Sequence, residues 1–441
     1  MKVAFYTLGC KVNQYETNGM IQAFLERGYE LVEFSEKADI YIINTCSVTN
    51  IADRKSRQML HKSKKINPDA IVVAAGCYVN ADTKKAAEDN AVDIVLGNNC
   101  KINIVEALEN YYKDKNNSEM VVDFKERQEY EELKLDEVST HTRAYIKIQD
   151  GCNQFCSYCI IPYTRGRIRS RDIDEIEEEV TKLVSKGFKE VVLTGIHLTS
   201  YGVDNNRGSL LEVIMRLDKI EGLQRIRLGS LEPRVITEEF AKTLSSSKKI
   251  CPHFHLSLQS GCDTVLKRMN RKYTTQEYYD KCCILRKYFN NPAITTDVIV
   301  GFPQETEEEF EATKVFLEKV HFYEMHIFKY SRRKGTVADR MEGQVDEKVK
   351  TQRSAILLEL ENKMSKEYRQ QHIGKTEEVL IEEIVSENGK DYFMGFTPDY
   401  IRVKIACDTA LDNSEYINTI KKVYMKELID DGIVVTGIFE C

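Results

Sequence analysis

"AYIKIQDGCNQFCSYCIIPYTRGR", Ala144 to Arg167, reads as a short strand running straight into three cysteines. Cys152, Cys156 and Cys159 form a C-x3-C-x2-C pattern. Three thiolates this close together can wrap one face of a cubane iron–sulfur cluster. Such clusters usually take four cysteine ligands. Three leave one iron open, and an open coordination position marks a reactive site rather than a closed structural one. Zinc is the competing reading. Zinc sites, however, come as paired C-x2-C or Cys/His sets, and no fourth Cys or His nearby completes a tetrahedron here.

Downstream of this motif the chain alternates strand and helix signals. AYIKIQ, EVVLTG, RIRLGS, HFHLSLQS, ITTDVIVG and MHIFKY are the strand candidates. Ile173, Ile176, Val180, Leu183 and Val184 make one apolar helix face, closed by Gly187. Thr306 and Glu309 form a capping-box pattern. About six βα units predict a partial (β/α)6 barrel of TIM type, with its chemistry at the carboxyl ends of the strands.

Upstream, residues 2–8, 39–45, 70–76 and 92–97 are short β-branched runs separated by helical patterns. Buried strands alternating with helices predict a Rossmann-like, doubly wound parallel sheet. Three of these runs end just before a cysteine: Cys10, Cys46 and Cys77. In a parallel sheet those ends share the edge at which doubly wound folds bind ligands. Buried free cysteines are common, which explains one such placement well and three poorly. A second three-thiolate cluster is expected there. Cys251, Cys262, Cys282, Cys283, Cys407 and Cys441 have no ligand-like company and are expected to be bystanders; Cys100, four residues beyond a fourth strand, is an extra ligand or a bystander, with bystander preferred.

The expected organisation is an N-terminal domain over 1–112, a charged linker over 113–140, the barrel over 141–370 and a small antiparallel β-barrel over 371–441. Five short strand signals and the Asn388-Gly389 hairpin turn define the last of these. Thirteen cysteines without a signal peptide or a membrane-length apolar run fit a cytoplasmic chain whose cysteines bind metal rather than form disulfides. A net charge of −7 excludes a generic cationic nucleic-acid binder. The C-terminal segment carries seven Lys/Arg against fourteen Asp/Glu, so the rest of the chain is near neutral.

With the two cysteine sets in view, the sequence resembles the radical S-adenosylmethionine (SAM) methylthiotransferases. The resemblance rests on NTC (44–46), GCY (76–78), GCNQFCSYCIIPYTRGR, LQSG and a terminal barrel similar to a TRAM domain. It implies two [4Fe-4S] clusters, an auxiliary one on Cys10, Cys46 and Cys77 and a SAM-binding one on Cys152, Cys156 and Cys159. In that family one electron from the cluster splits SAM into methionine and a 5′-deoxyadenosyl radical. A second SAM gives the methyl group, and the product is a C–S–CH3 group. Gly195, Glu232, Gln259 and Gly301, all after strands, are then expected to bind the SAM.

"LGCKVNQYE" with "NTCSVTNIADRKSRQ" resembles the branch that modifies threonylcarbamoyladenosine at position 37 of tRNA, beside the anticodon. The isopentenyladenosine and ribosomal-protein aspartate branches are the alternatives. A non-catalytic RNA-binding metalloprotein is the alternative from another class. Expected partners are the tRNA anticodon stem-loop and a reductant such as flavodoxin or ferredoxin, around a monomeric enzyme. Lys11, Asn13, Gln14, Arg165, Arg167, Arg169 and Arg402 are the expected substrate-side residues. A basic helix with Arg54, Lys55, Arg57, His61, Lys62, Lys64 and Lys65, and aromatics such as Tyr392, Phe393 and Tyr400, are further RNA candidates.

Overall fold

The structure is a computed structural model; it describes all residues except 116–118, 125, 127, 134–141, 206–207, 408–412, 430–433 and 440–441. Cys441 therefore lies outside the described residues.

The first sheet contains β1 (Lys2–Thr7), β2 (Glu30–Leu31), β3 (Ile40–Thr45), β4 (Ile71–Gly76), β5 (Ile94–Leu96) and β6 (Glu119–Met120). All pairs are parallel, in the order β2-β1-β3-β4-β5-β6. β3 is buried at every position, as a central strand covered on both faces must be. Val3, Ile40, Ile42 and Val73 face Met20, Phe24, Ile104 and Leu108 of the helices over 11–25 and 104–113. Tyr41, Ile43, Val72 and Ala74 face Leu60 and Val79 of the helices over 50–66 and 77–81. This alternation along each strand is what winds the sheet on both sides.

The 113–140 stretch departs from a plain linker. Its Glu119–Met120 pair adds β6 to the sheet, and its Leu133 is buried against Tyr15, whose hydroxyl donates to the Leu133 carbonyl at 3.1 Å. Two residues of strand among charged neighbours leave too short an apolar run to read from sequence.

The second unit holds β7 (Arg143–Asp150), β8 (Arg169–Ser170), β9 (Glu190–Gly195), β10 (Arg225–Leu228), β11 (His253–His255), β12 (Ala293–Val300) and β13 (Glu324–Lys329). Two sheets, β10-β9-β7-β8 and β11-β12-β13, are joined by parallel bridges Ile226–Ile250 and Leu231–Leu256. The six long-expected strands thus form an open parallel (β/α)6 barrel. β8 is an addition, folded back antiparallel along the end of β7. The expected capping box at Thr306 and Glu309 is formed, and Ile176, Val180 and Leu183 are fully buried.

β14 (Thr376–Glu387), β15 (Lys390–Phe396), β16 (Arg402–Ala406), β17 (Ile420–Ile429) and β18 (Val434–Phe439) close a small barrel, β14-β15-β16-β18-β17. Asn388 and Gly389 both take positive φ, 51° and 74°, as the expected two-residue hairpin requires. One pair, β16 with β18, is parallel, so the barrel is mixed rather than wholly antiparallel. It docks against residues at the amino ends of the larger barrel's strands. Arg225 donates to the carbonyls of Glu378 and Phe396, and Arg227 to those of Thr397 and Pro398.

Candidate functional site

β1, β3 and β4 run in register, with Thr7 beside Asn44 and Thr45 beside Gly76. Their next residues therefore leave one edge of the sheet together. Gly9 makes the first turn at φ +105°; a Cβ there would stand 3.2 Å from the Cys46 Sγ. Only glycine lets the Cys10 loop close onto Cys46. Gly76, at φ +95°, turns β4 directly into the short helix that opens with Cys77.

Asn13 ties two of these loops. Its Nδ2 donates to the carbonyls of Leu8 at 2.8 Å and Thr45 at 3.0 Å. Asn98 Nδ2 donates to the Cys77 Sγ at 3.4 Å and to the Thr164 carbonyl at 2.9 Å, linking the third loop to the barrel motif. Cys46 and Cys77 are buried and Cys10 is exposed at the edge; all three are free. Burial pushes the Cys46 thiol up to about 12, with Cys77 and Cys10 adding repulsion. Cys10 is also raised by desolvation, against the pull of Arg165. Thiols in this state must release protons to bind metal. Three free sulfurs held by rigid loops, with one opening to a cavity, are a donor set that fits a metal cluster. Cys100 is apart from them, buried in the apolar layer with Ile104 and Leu108.

The second set sits at the carboxyl end of β7. Gly151, at φ +71°, would place a Cβ 1.9 Å from the Arg167 carbonyl oxygen, so the loop can close only on glycine. The Cys152 N–H donates to the Gly166 carbonyl and the Ser157 N–H to that of Met269, both at 3.0 Å. Burial pushes Cys152 up to about 11 and Cys159 to about 12. Arg271 donates to the Cys156 Sγ at 3.3 Å. No local pattern in the sequence announces Arg271; its side chain reaches the cysteine loop from a turn 115 residues away.

The expected cofactor residues divide. Gln259, at φ +74°, lines a cavity of about 220 Å³ with Tyr158, Cys159, Ile161 and Ile299. Gly195 lines a second cavity of about 540 Å³ that also includes Cys10; Asp297 borders both. Glu232 is buried and accepts from Arg234 at 2.7 Å. Gly301, at φ +69°, packs under Lys350, whose Cγ would lie 2.3 Å from a Cβ, and it borders neither of these cavities. Its small size serves helix packing. His197, absent from the sequence reading, is held by Ser200 at 2.6 Å, and burial and nearby Arg271 push it down to about 4. Its Nε2 is buried with no partner, a polar atom suited to a bound group.

Several expected substrate-side residues are structural instead. Arg165 is 0% exposed. Its guanidinium donates to Glu16 at 2.8 Å, to Asp150 at 3.1 Å and to Asn13 Oδ1 at 2.7 Å. Lys147 pairs with Glu16 at 2.9 Å and Asp150 at 2.7 Å, and Lys101 also pairs with Glu16. Burial alone would raise both acids, but Arg165, Lys101 and Lys147 hold Glu16 well below the usual range, and Lys147 and Arg165 do the same for Asp150. Arg169 and Asn13 are likewise buried. Arg165 and Asn13 brace the contact between the sheet and the barrel, whereas Arg169 donates to the Arg165 and Arg167 carbonyls and borders a cavity of about 740 Å³ with Arg167.

Arg167 is exposed, over the Phe155 ring. Lys11 lines the 540 Å³ cavity, its ammonium pushed down to about 8 by desolvation and by Arg143 and Arg227. Gln14 donates to Asn18 at 3.2 Å, and Arg402 is exposed, 3.9 Å from Glu383. Phe393 is barrel core, while Tyr400 stacks on His253 at 5.0 Å and borders the cavity. Arg54, Arg57, Lys62 and Lys65 line an open concavity of about 510 Å³ on the helix after Cys46.

Family comparison matches residues 146–317 to the radical SAM superfamily and residues 2–97 to the uncharacterized protein family UPF0004. The chain is 43% identical over 403 residues to the threonylcarbamoyladenosine tRNA methylthiotransferase MtaB of Bacillus subtilis, covering 91% of this chain and 89% of the relative. It is 36% identical over 429 residues to the tRNA-2-methylthio-N(6)-dimethylallyladenosine synthase of Acetivibrio thermocellus, covering 94% and 88%. Among solved structures, the radical SAM methyltransferase TsrM of Kitasatospora setae matches 77% of each chain with a TM-score of 0.55 at 13% identity, a likeness of fold. No helix among the described residues is long and apolar enough to cross a membrane.

Proposed function

The chain belongs to the radical SAM tRNA methylthiotransferase family, and from that premise we propose that it converts N6-threonylcarbamoyladenosine at position 37 of tRNA into its 2-methylthio derivative. Two [4Fe-4S] clusters serve this reaction, with two SAM consumed per product. Cys152, Cys156 and Cys159 would hold the SAM-binding cluster; Cys10, Cys46 and Cys77 would hold the auxiliary one. When bound, these groups supply the radical, the sulfur and the methyl group.

The observation that carries this reading is that Cys10 and Gly195 border one cavity, which shares Asp297 with the cavity bordered by Cys159. One thiol of each set, from separate units, thus borders one of two cavities that meet at Asp297. The chain's own residues do the positioning. Asn13 and Asn98 fix the loops of the auxiliary set. Arg271 donates to the Cys156 sulfur at 3.3 Å and so holds that side of the cysteine loop in place. Gln149 accepts from the His197 N–H at 2.7 Å and so fixes the start of the loop after Gly195. Tyr158, Ile161 and Ile299 give the cavity beside Cys159 a largely apolar wall.

The anticodon stem-loop is the macromolecular substrate. Arg54, Arg57, Lys62 and Lys65 offer its phosphates a cationic surface beside the Cys46 loop, where guanidiniums and ammoniums position without reading sequence. The C-terminal barrel, net negative, contributes through exposed groups such as Arg402. Nucleoside mass spectrometry on tRNA from a deletion strain tests the assignment. Loss of 2-methylthio-N6-threonylcarbamoyladenosine with accumulation of its precursor supports it. Loss of the isopentenyl derivative instead, or an altered ribosomal-protein mass, overturns it.

A further inference from the structure

We propose that Lys11 is the specificity residue of this enzyme: its ammonium receives the carboxylate of the N6 substituent inside the cavity that opens beside Cys10. The proposal rests on the functional reading above. Threonylcarbamoyladenosine carries a carboxylate, a hydroxyl and a urea on N6, whereas isopentenyladenosine carries a branched hydrocarbon. A pocket that accepts the first needs a cation and polar walls; a pocket that accepts the second needs neither.

The cavity of about 540 Å³ has the first character. Thr194, Ser230, His253, His255 and Thr295 stand on its wall and offer hydroxyls and imidazoles. Among the described residues lining it, Lys11 is the one lysine or arginine. Of the two acids on the same wall, one has a permanent cationic partner. Glu324 pairs with Arg369 at 2.5 Å, while Asp297 stands beside His255, 3.3 Å from its Nε2, without an Arg or Lys partner among the described residues. Among the described residues no carboxylate lies within ion-pair distance of Lys11.

Its backbone position is tied to the cysteine loop. Lys11 is the first residue of the helix that Cys10 caps, so whatever orders the Cys10 loop orders Lys11. Arg143 and Arg227 lie close enough to act on it electrostatically, and both are committed, to Glu382 and Glu190. Glu190 acts on Lys11 with the opposite sign, so the two arginines, held by their carboxylates, add only part of their positive potential behind it. A carboxylate entering this concave site meets a cation that has no ion-pair partner among the described residues, and a charge-assisted hydrogen bond between them is stronger than a neutral one.

The experiment uses three anticodon stem-loop RNAs, carrying threonylcarbamoyladenosine, its carboxyl methyl ester or isopentenyladenosine at position 37. Binding by anisotropy and the split between KM and kcat are measured for the wild-type holoenzyme and for Lys11→Met, Lys11→Gln and Lys11→Arg, each matched for iron content. Wild-type enzyme is expected to bind the free acid roughly tenfold to a hundredfold more tightly than the ester, the range of one charged hydrogen bond. Lys11→Met and Lys11→Gln should bind acid and ester equally, and Lys11→Arg should restore part of the preference. Wild-type enzyme indifferent to esterification, or neutral variants that keep the full preference, would overturn the role of Lys11. Wild-type enzyme that methylthiolates the isopentenyl RNA and not the free acid would instead overturn the substrate assignment itself.

Discussion

The two cysteine sets reach the same end by opposite routes. Cys152, Cys156 and Cys159 come from one loop, shaped by Gly151 and hydrogen bonds within a short stretch. Cys10, Cys46 and Cys77 come from three strands and meet only because β1, β3 and β4 lie parallel and in register. A local set survives as long as its loop does. A set assembled by topology depends on everything that keeps the strand ends together. That difference accounts for the dense bracing around the second set, from Asn13 and Asn98 to the buried charges of Glu16, Asp150, Lys147 and Arg165.

The sharpest break of this comparison is Cys156→Ala. It should abolish formation of 5′-deoxyadenosine, and with it all product, as measured by chromatography after reduction with SAM present. Cys10→Ala should keep SAM cleavage within a few-fold of wild type and lose methylthio transfer, read on the same stem-loop. Equal loss of cleavage in both variants would erase the division between the sets.

Glu16→Gln tests the bracing. It leaves Lys101, Lys147 and Arg165 short of a buried partner, which costs about 3–5 kcal/mol in comparable sites. The expected signature is a lowered Tm and earlier loss of iron from the auxiliary set. The pH dependence has a fixed sign. Glu16 and Asp150 are held below their ordinary values, so their contribution is complete above about pH 4.5 and is lost as pH falls through the folded values. In Glu16→Gln the Glu16 share of that acid sensitivity should disappear; an unchanged acid profile would show that the pair does not hold the units together.

The smallest effect belongs to the surface. Arg57→Glu combined with Lys62→Glu should weaken stem-loop binding by about tenfold at moderate salt and flatten its salt dependence. Unchanged affinity would move the phosphate contacts off this helix.

The local motif was legible because its meaning lies in spacing. The topological set was legible through the rule that parallel strands end at one edge, applied to three apolar runs that each stop before a cysteine. The arginines after the motif were not. An arginine in sequence reads as solvent- or phosphate-facing, and Arg165 is buried only because Glu16 waits 149 residues away. The packing of Gly301 was illegible for a similar reason, since its neighbour Lys350 belongs to a distant helix. Arg271 and His197 carry no pattern of their own and acquire a role only where the chain folds them beside Cys156 and Gln149.

The central claim is that this chain holds two separable clusters. Iron and sulfide content of the Cys10→Ala, Cys46→Ala, Cys77→Ala triple variant, with SAM cleavage measured on the same sample, tests it most directly. The result expected is about four irons per chain against about eight in the wild type, with cleavage retained. Iron unchanged by the triple substitution, or iron and cleavage lost together, would contradict it.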